Sequence, residues 1–164
     1  IIKWKGVNYL LDSHKGLKNK DKIKFHIFGK GSELANYKKK FLNKNIIFHG
    51  FKSDSFIENF LKNQAHLSIV SSIKEEACPH LPILSFSYAI PSIVTNIGGQ
   101  SSLIEDNFNG LKVDIESSES FASKIAYVFD NKKIYEKMSK NAHKTSYNFS
   151  LEKYLLNISE IFNL

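Results

Sequence analysis

Four short loops in this sequence carry residues suited to binding an anionic ligand. They are Lys5-Gly6, Gly29-Lys30-Gly31-Ser32, the segment Ser71 to His80, and Gly98-Gly99-Gln100. Glycine lets a main chain approach a ligand closely, and the N–H groups at a helix N-terminus favour negative charge. A single loop of this kind is often a plain turn. The order and spacing of the four loops favour a site for phosphate groups.

The loops fall between short apolar segments and amphipathic segments that alternate along the chain, a pattern typical of an α/β fold with a parallel sheet. We expect a Rossmann-like sheet of five or six parallel strands flanked by helices, with ligands at the carboxyl ends of the strands. The predicted strands are Ile23 to Phe28, Ile46 to His49, Leu67 to Val70, Ser92 to Thr95 and the weaker Leu111 to Val113.

The predicted helices fall into two groups. Four alternate with the strands and should cover the sheet: Val7 to Leu17, Ser32 to Leu42, Asp54 to Gln64 and Leu81 to Ala89. Three follow the last strand and should pack at one end: Ser118 to Phe129, Lys132 to His143 and Ser150 to Phe162, with Ser118 and Ser150 as N-caps.

Length and composition indicate one soluble globular domain. The 164 residues are 42% hydrophobic and 24% charged, which excludes a disordered or fibrous chain. The net charge of +7 comes from lysine alone, because the sequence has no arginine. Sequence-specific nucleic-acid readers use bidentate arginine contacts, so we expect no nucleic-acid partner. The lysines indicate either a solvated surface or attraction to anionic lipid headgroups.

The single cysteine, Cys78, excludes an internal disulfide and a multi-cysteine metal site. A reducing compartment fits this composition, and no apolar run is long enough to cross a bilayer. We therefore expect a cytoplasmic protein with no metal.

Taken together, the motifs resemble the C-terminal domain of family-four glycosyltransferases of the GT-B fold. Such enzymes transfer a sugar from a nucleotide diphosphate donor to an acceptor held mainly by a separate N-terminal domain. They retain the anomeric configuration and need no metal. The resemblance covers nearly the whole chain and rests on Lys5-Gly6-Val7, Phe28 to Gly31, Ile46 to Phe51, Glu76, Ala89 to Thr95, Gly98-Gly99, Ile104-Glu105-Asp106 and Asn109-Gly110-Leu111.

The resemblance implies that residues 1–164 form a nucleotide-sugar donor-binding domain, with the acceptor domain outside this sequence. Lys5 matches the basic residue that contacts the donor pyrophosphate, and Glu76 matches the catalytic-site glutamate near the donor sugar. Glu75 is the alternative if the loop is shifted by one residue. The other donor-binding positions implied are Gly6, Gly29, Gly31, Phe51, Lys52, Asp54, His80, Gly98 and Gly99.

Two departures from the family pattern affect the donor site. The family carries a second glutamate, which binds ribose, at the position of Leu84, and a leucine side chain cannot accept a hydrogen bond. The usual glycine-rich stretch is replaced by Ala77-Cys78-Pro79-His80, in which Pro79 lacks an N–H.

The resemblance implies a retaining hexosyltransferase whose partners are a nucleotide sugar, as substrate rather than cofactor, and a glycan or lipid-linked acceptor. We expect a role in cell-surface polysaccharide synthesis, with peripheral contact at the inner face of the membrane, and no transfer by this chain alone. A degenerate GT-B domain acting as a scaffold is the alternative. A generic Rossmann nucleotide-binding protein ranks last, because no G-x-G-x-x-G motif follows a strand.

Overall fold

The computed structural model describes residues 1–162 and contains five strands, every pair of which runs parallel. The strands are β1 (Phe25–Phe28), β2 (Ile46–Gly50), β3 (Ser68–Val70), β4 (Ser92–Thr95) and β5 (Gly110–Val113). The predicted α/β fold, with parallel strands flanked by helices, is confirmed. Its hydrogen bonding differs from the prediction in one respect. The strands form two sheets, β1-β2 and β3-β4-β5, instead of one.

The first six residues explain how the two sheets are joined. Glu33 donates its N–H to the Ile1 carbonyl oxygen at 3.2 Å, just beyond β1. Ile73 donates its N–H to the Trp4 carbonyl oxygen at 2.9 Å, just beyond β3. The N-terminal segment therefore ties the carboxyl ends of β1 and β3 together, although among residues 1–162 no strand pairs with both.

Within residues 1–162, eight α-helices surround the strands. All seven predicted helices are present within a few residues of their predicted bounds. A five-residue helix that begins with two glycines, and two 3-10 turns at Lys3–Lys5 and Tyr147–Phe149, were not predicted because such short segments have no hydrophobic period. The helices are α1 (Val7–Gly16), α2 (Leu34–Lys40), α3 (Asp54–Gln64), α4 (His80–Ser87), α5 (Gly98–Ser102), α6 (Ser118–Asp130), α7 (Lys132–Ser146) and α8 (Leu151–Phe162).

One of the two predicted helix caps is wrong. Ser117, not Ser118, caps α6, because Ser117 has extended backbone angles and its hydroxyl accepts the Ser120 N–H at 3.0 Å. Ser118 is already helical. The predicted cap at Ser150 is confirmed, since its hydroxyl accepts the Lys153 N–H at 3.2 Å.

The core lies on both faces of the three-stranded sheet. On β4, the side chain of Ile93 packs in one cluster with Leu11 and Phe121, and that of Val94 packs in another with Phe86. All five side chains are fully buried. Burial of both faces is typical of a parallel sheet, and it leaves the carboxyl ends of the strands as the edge where loops can meet a ligand. No helix within residues 1–162 has the length and hydropathy needed to span a bilayer.

A pair of histidines joins the neighbouring strands β1 and β2. The distance from His26 Nδ1 to His49 Nε2 is 2.9 Å, so one ring nitrogen donates to the other. The ring centroids are 5.2 Å apart and the planes differ by 14°. That centroid separation is too long for rings in face-to-face contact and fits two imidazoles meeting edge to edge. The ring of Phe60 packs against both imidazoles.

Burial lowers the pKa of both histidines, helped at His26 by His49 and Lys24 and at His49 by Lys52. A lowered pKa means that the unfolded chain binds protons more readily than the folded chain. The pair therefore stabilises the fold fully above the ordinary histidine pKa of about 6.5, and this contribution is lost as the pH falls through the lower folded pKa values.

We expect the free energy of unfolding to fall between pH 7.5 and pH 5, and to fall less in the His26→Phe variant. Urea unfolding at several pH values measures this difference. His143→Phe, at an exposed histidine on α7, is the control and should keep the pH dependence of the wild type. Equal pH dependence in the wild type and the His26→Phe variant would contradict the assignment.

Candidate functional site

The side chains of Lys5 and Glu76 meet at the carboxyl end of the three-stranded sheet. Lys5 ends the 3-10 turn before α1, and Glu76 lies in the loop between β3 and α4. The distance from Lys5 Nζ to Glu76 Oε2 is 2.7 Å, and the other carboxylate oxygen accepts a hydrogen bond from the Ser72 hydroxyl. The Lys5 side chain is 38% exposed and that of Glu76 is 16% exposed. The lysine ammonium group can therefore be reached from solvent while its partner stays largely enclosed.

The backbone around Lys5 can follow its path only because the next residue is glycine. Gly6 has φ +61°, and a Cβ atom there would lie 2.0 Å from the Ser71 carbonyl oxygen. The Ser71 hydroxyl donates to the Lys5 carbonyl oxygen at 2.8 Å. These contacts hold Lys5 directly above the end of β3, which is where the Glu76 loop begins.

The main chain of Glu76 is held from both sides by the start of α5. Its N–H donates to Gln100 Oε1 at 2.9 Å, and its carbonyl oxygen accepts the Gly99 N–H at 2.8 Å. A Cβ atom at Gly99 would lie 1.8 Å from the Ala77 carbonyl oxygen, so a larger residue cannot sit there without moving the loop. Gly99 therefore leaves the space that the Glu76 loop occupies.

Three helices begin at this edge without a capping side chain. The residues preceding α1, α4 and α5 are Gly6, Pro79 and Ile97, and none of these helices has an acidic residue in its first turn. By contrast, α3 is capped by the Ser53 hydroxyl. Uncapped helix N-termini carry partial positive charge, which together with the Lys5 ammonium group favours an anionic ligand.

A second group of predicted residues lies at the end of β1 and β2. Gly29 donates its N–H to the Gly50 carbonyl oxygen at 2.8 Å, and Gly31 packs against the main chain of Ile1. The Phe51 ring is 71% exposed, with Lys30 Nζ 5.4 Å from its centroid. The segment from Ile1 to Gly6 connects this group to the Lys5 side chain.

Three other predicted donor-binding residues are Lys52, Asp54 and His80. Lys52 Nζ lies 5.0 Å from the centroid of the Phe56 ring, Asp54 is exposed in the first turn of α3, and His80 is exposed at the start of α4. Glu75, the alternative to Glu76, is also exposed, and its side chain lies beside Gly98. The donor-binding roles of Lys52, Asp54 and His80 stay predictions.

Two buried polar residues at the site were not predicted from the sequence. Ser72 is 1% exposed and donates to Glu76, and Gln100 is fully buried and accepts from it. Both residues follow a strand within a predicted ligand loop, and this position was the only signal available. Their contacts join separate loops, so no local pattern reveals them.

The arrangement is chemically suited to holding a diphosphate. In the structure the Glu76 carboxylate occupies one donor direction of the Lys5 ammonium group. An ammonium group has three donors, so Lys5 can bind a phosphate oxygen beside Glu76 or in exchange for it. A neighbouring carboxylate disfavours a second anion, and the helix N-termini offset that repulsion.

Residues 1–145 match the family model described as glycosyl transferases group 1. A galactosyltransferase of Escherichia coli, named as acting from UDP-Gal on α-D-GlcNAc-diphosphoundecaprenol, is 27% identical over 84% of this chain and 36% of its own length. The chain spans less than half the length of the curated relatives that it matches.

Solved structures share the fold at low sequence identity. The Anabaena protein HepE, crystallised with UDP, superposes with a TM-score of 0.86 at 19% identity, over 99% of this chain and 46% of its own. The C-terminal domain of a group 1 family glycosyltransferase from Francisella tularensis superposes with a TM-score of 0.78 at 22% identity, over 92% of this chain and 83% of its own. The fold is therefore that of a GT-B C-terminal domain.

The ion pair with Lys5 distinguishes Glu76 from the adjacent Glu75. Substitutions at the two positions should therefore differ in their effect on the free energy of unfolding. We expect Glu76→Gln to lower the free energy of unfolding by about 1 kcal/mol, because Lys5 is partly exposed and solvent screens the pair. Glu75→Gln, the matched control one residue away, should change it by less than about 0.5 kcal/mol. Urea unfolding at low ionic strength measures both, and equal losses in the two variants would contradict the geometry.

Proposed function

The chain belongs to the group 1 glycosyltransferases, and we propose that it binds the nucleotide diphosphate sugar for a retaining hexosyltransferase. One observation carries this proposal. The Lys5 ammonium group lies 2.7 Å from the Glu76 carboxylate, at an edge where three uncapped helices begin. Positive charge converges there, and the donor pyrophosphate is the group that such an edge would bind.

In this proposal Lys5 contributes most when the bond between sugar and diphosphate breaks. The leaving diphosphate takes the electron pair and gains negative charge, which an ammonium group and helix N-termini stabilise more strongly than they stabilise the ground state. The acceptor hydroxyl attacks the same face of the sugar from which the diphosphate leaves and gives its proton to the leaving diphosphate, so the anomeric configuration is retained. Glu76 orients the donor sugar and does not act as a titrating base.

The loop residues of the second group would hold the rest of the donor. Gly29, Gly31 and Phe51 lie at the ends of β1 and β2, next to the start of the N-terminal segment. We assign this region to the nucleoside. Uridine is the base to test first, because a relative is named as using UDP-Gal and a protein of the same fold was crystallised with UDP.

The acceptor would be a glycan or a lipid-linked intermediate of cell-surface polysaccharide synthesis. The Escherichia coli relative is named for a diphosphoundecaprenol-linked acceptor. A net charge of +7 would favour peripheral contact with the anionic cytoplasmic face of a membrane. The chain spans less than half of its relatives, and we assign acceptor binding to the separate N-terminal domain that the family resemblance implies.

The second candidate function is a scaffold with a degenerate donor site, and Leu84 is the observation that favours it. Leu84 lies one turn into α4 and is half-buried, so its side chain is not part of the closed core. Loss of one charged hydrogen bond to ribose weakens binding by about 1.5–3 kcal/mol, which lowers donor affinity without abolishing it.

A nucleoside diphosphate should bind more tightly than its nucleoside, and Lys5→Ala should remove most of that difference. We expect UDP to lose about 1–3 kcal/mol of binding free energy in this variant, the range of a charge-assisted hydrogen bond, while uridine binding stays unchanged. Lys3→Ala is the control, because Lys3 is exposed in the same 3-10 turn. Calorimetry measures each affinity. Absence of UDP binding at millimolar concentration, by this chain and by the complete protein, would favour the scaffold.

Leu84→Glu tests whether α4 still presents this position to the ribose. Because Leu84 is half-buried, we expect the variant to fold and to bind UDP about tenfold more tightly. Ser87→Glu adds the same charge at an exposed position of α4 and should leave the affinity unchanged. If Leu84→Glu binds UDP no more tightly than Ser87→Glu does, Leu84 does not face the ribose.

A further inference from the structure

Gln100 is a fully buried polar side chain that the proposed reaction does not itself use. It is the third residue of α5, a helix of five residues whose first two are the glycines beside the Glu76 loop. Its Oε1 atom accepts the Glu76 N–H at 2.9 Å. Its Nε2 atom donates to the Lys74 carbonyl oxygen at 3.2 Å and to Thr95 Oγ1 at 3.4 Å. One carboxamide group thus satisfies an N–H and a carbonyl group two residues apart in the same loop.

The carboxamide satisfies both groups because it carries an acceptor oxygen and donor N–H groups. A carboxylate accepts hydrogen bonds but cannot donate to the Lys74 carbonyl oxygen, and an apolar side chain does neither. Buried main-chain groups without partners are costly, so loss of either contact would release the loop toward solvent.

The contacts of Gln100 also reach the second partner of Glu76. Thr95 is fully buried, and its hydroxyl donates to the Ser72 carbonyl oxygen at 2.6 Å. Ser72 in turn donates to the Glu76 carboxylate. Gln100 therefore contacts the main chain of Glu76 directly. Through Thr95 it is also linked to Ser72, which donates to the Glu76 carboxylate.

We infer that Gln100 is a positioning residue of the donor site, whose carboxamide fixes the Lys74 to Glu76 loop so that the Glu76 carboxylate stays opposite Lys5. This inference rests on the proposed function, because it assigns the fixed loop to binding the donor. Gln100 does not touch the donor itself. Its effect on donor binding passes through the position of Glu76.

The test compares Gln100→Met, which removes both hydrogen bonds at similar volume, with Gln100→Glu. The carboxyl group introduced by Gln100→Glu is buried beside a carbonyl oxygen, and such burial raises a carboxyl pKa. When protonated, this group can accept from the Glu76 N–H and donate to the Lys74 carbonyl oxygen, as the carboxamide does. Gln64→Glu is the control, because Gln64 is exposed at the end of α3.

The first measurement is the affinity for UDP-galactose, whose sugar Glu76 is proposed to orient, expressed as a ratio to the wild type at the same pH. We expect Gln100→Met to bind about tenfold more weakly at both pH 8 and pH 5.5. Gln100→Glu should bind about tenfold more weakly at pH 8 and recover to within about threefold at pH 5.5. Gln64→Glu should stay near a ratio of one at both pH values.

The second measurement is hydrogen exchange of the Glu76 amide without nucleotide, relative to the wild type at each pH. We expect faster exchange in Gln100→Met at both pH values and in Gln100→Glu at pH 8 alone.

If the wild type binds no UDP, the proposed function fails, and the exchange rates still decide whether Gln100 holds the loop. If Gln100→Met does not fold, the pH dependence of affinity and exchange in Gln100→Glu decides whether Gln100 positions the loop. Wild-type exchange and affinity in the Gln100 variants at pH 8 would overturn the inference.

Discussion

The contact between the Lys5 ammonium group and the Glu76 carboxylate joins parts of the chain that lie 71 residues apart. Lys5 belongs to the segment that links the carboxyl ends of the two sheets, and Glu76 belongs to the loop that leaves the second sheet. The residues around the pair are arranged so that these two groups meet. Ser72 holds the carboxylate, and Ser71 holds the backbone of the lysine.

Two glycines set how closely these loops can approach. At Gly6 and at Gly99 a single added carbon would lie within 2.0 Å of a carbonyl oxygen of the β3–α4 loop, from opposite sides of it. The main chain therefore approaches the loop closely at Ser71 and Ala77, and the hydrogen bonds of the loop are made by backbone groups and by polar side chains such as Lys5, Ser72 and Gln100. Such a site is rigid where it positions charge and open where Lys5 faces solvent, which suits an exchangeable anionic substrate.

The sequence predicted the parts of this structure that depend on local patterns. The bounds of β4 were predicted correctly because its four residues are buried between Pro91 and an exposed Asn96, and those of α3 because Ser53 caps a clear apolar stripe. The family resemblance assigned Lys5 and Glu76 to one donor site, but their direct contact was not predicted. The division into two sheets, helix α5 and the contacts of Ser72 and Gln100 could not be predicted, since each depends on hydrogen bonds between distant segments.

The central claim is that the edge holding Lys5 and Glu76 binds the diphosphate of a nucleotide sugar. An NMR titration of the ¹⁵N-labelled chain with UDP tests it most directly. The account predicts that the largest amide shifts occur at Gly6, Glu76 and Gly99, with smaller shifts near Phe51. Shifts concentrated in the groove between α1 and α6, around Gly16 and Ala122, would contradict it, because neither Lys5 nor Glu76 lines that groove.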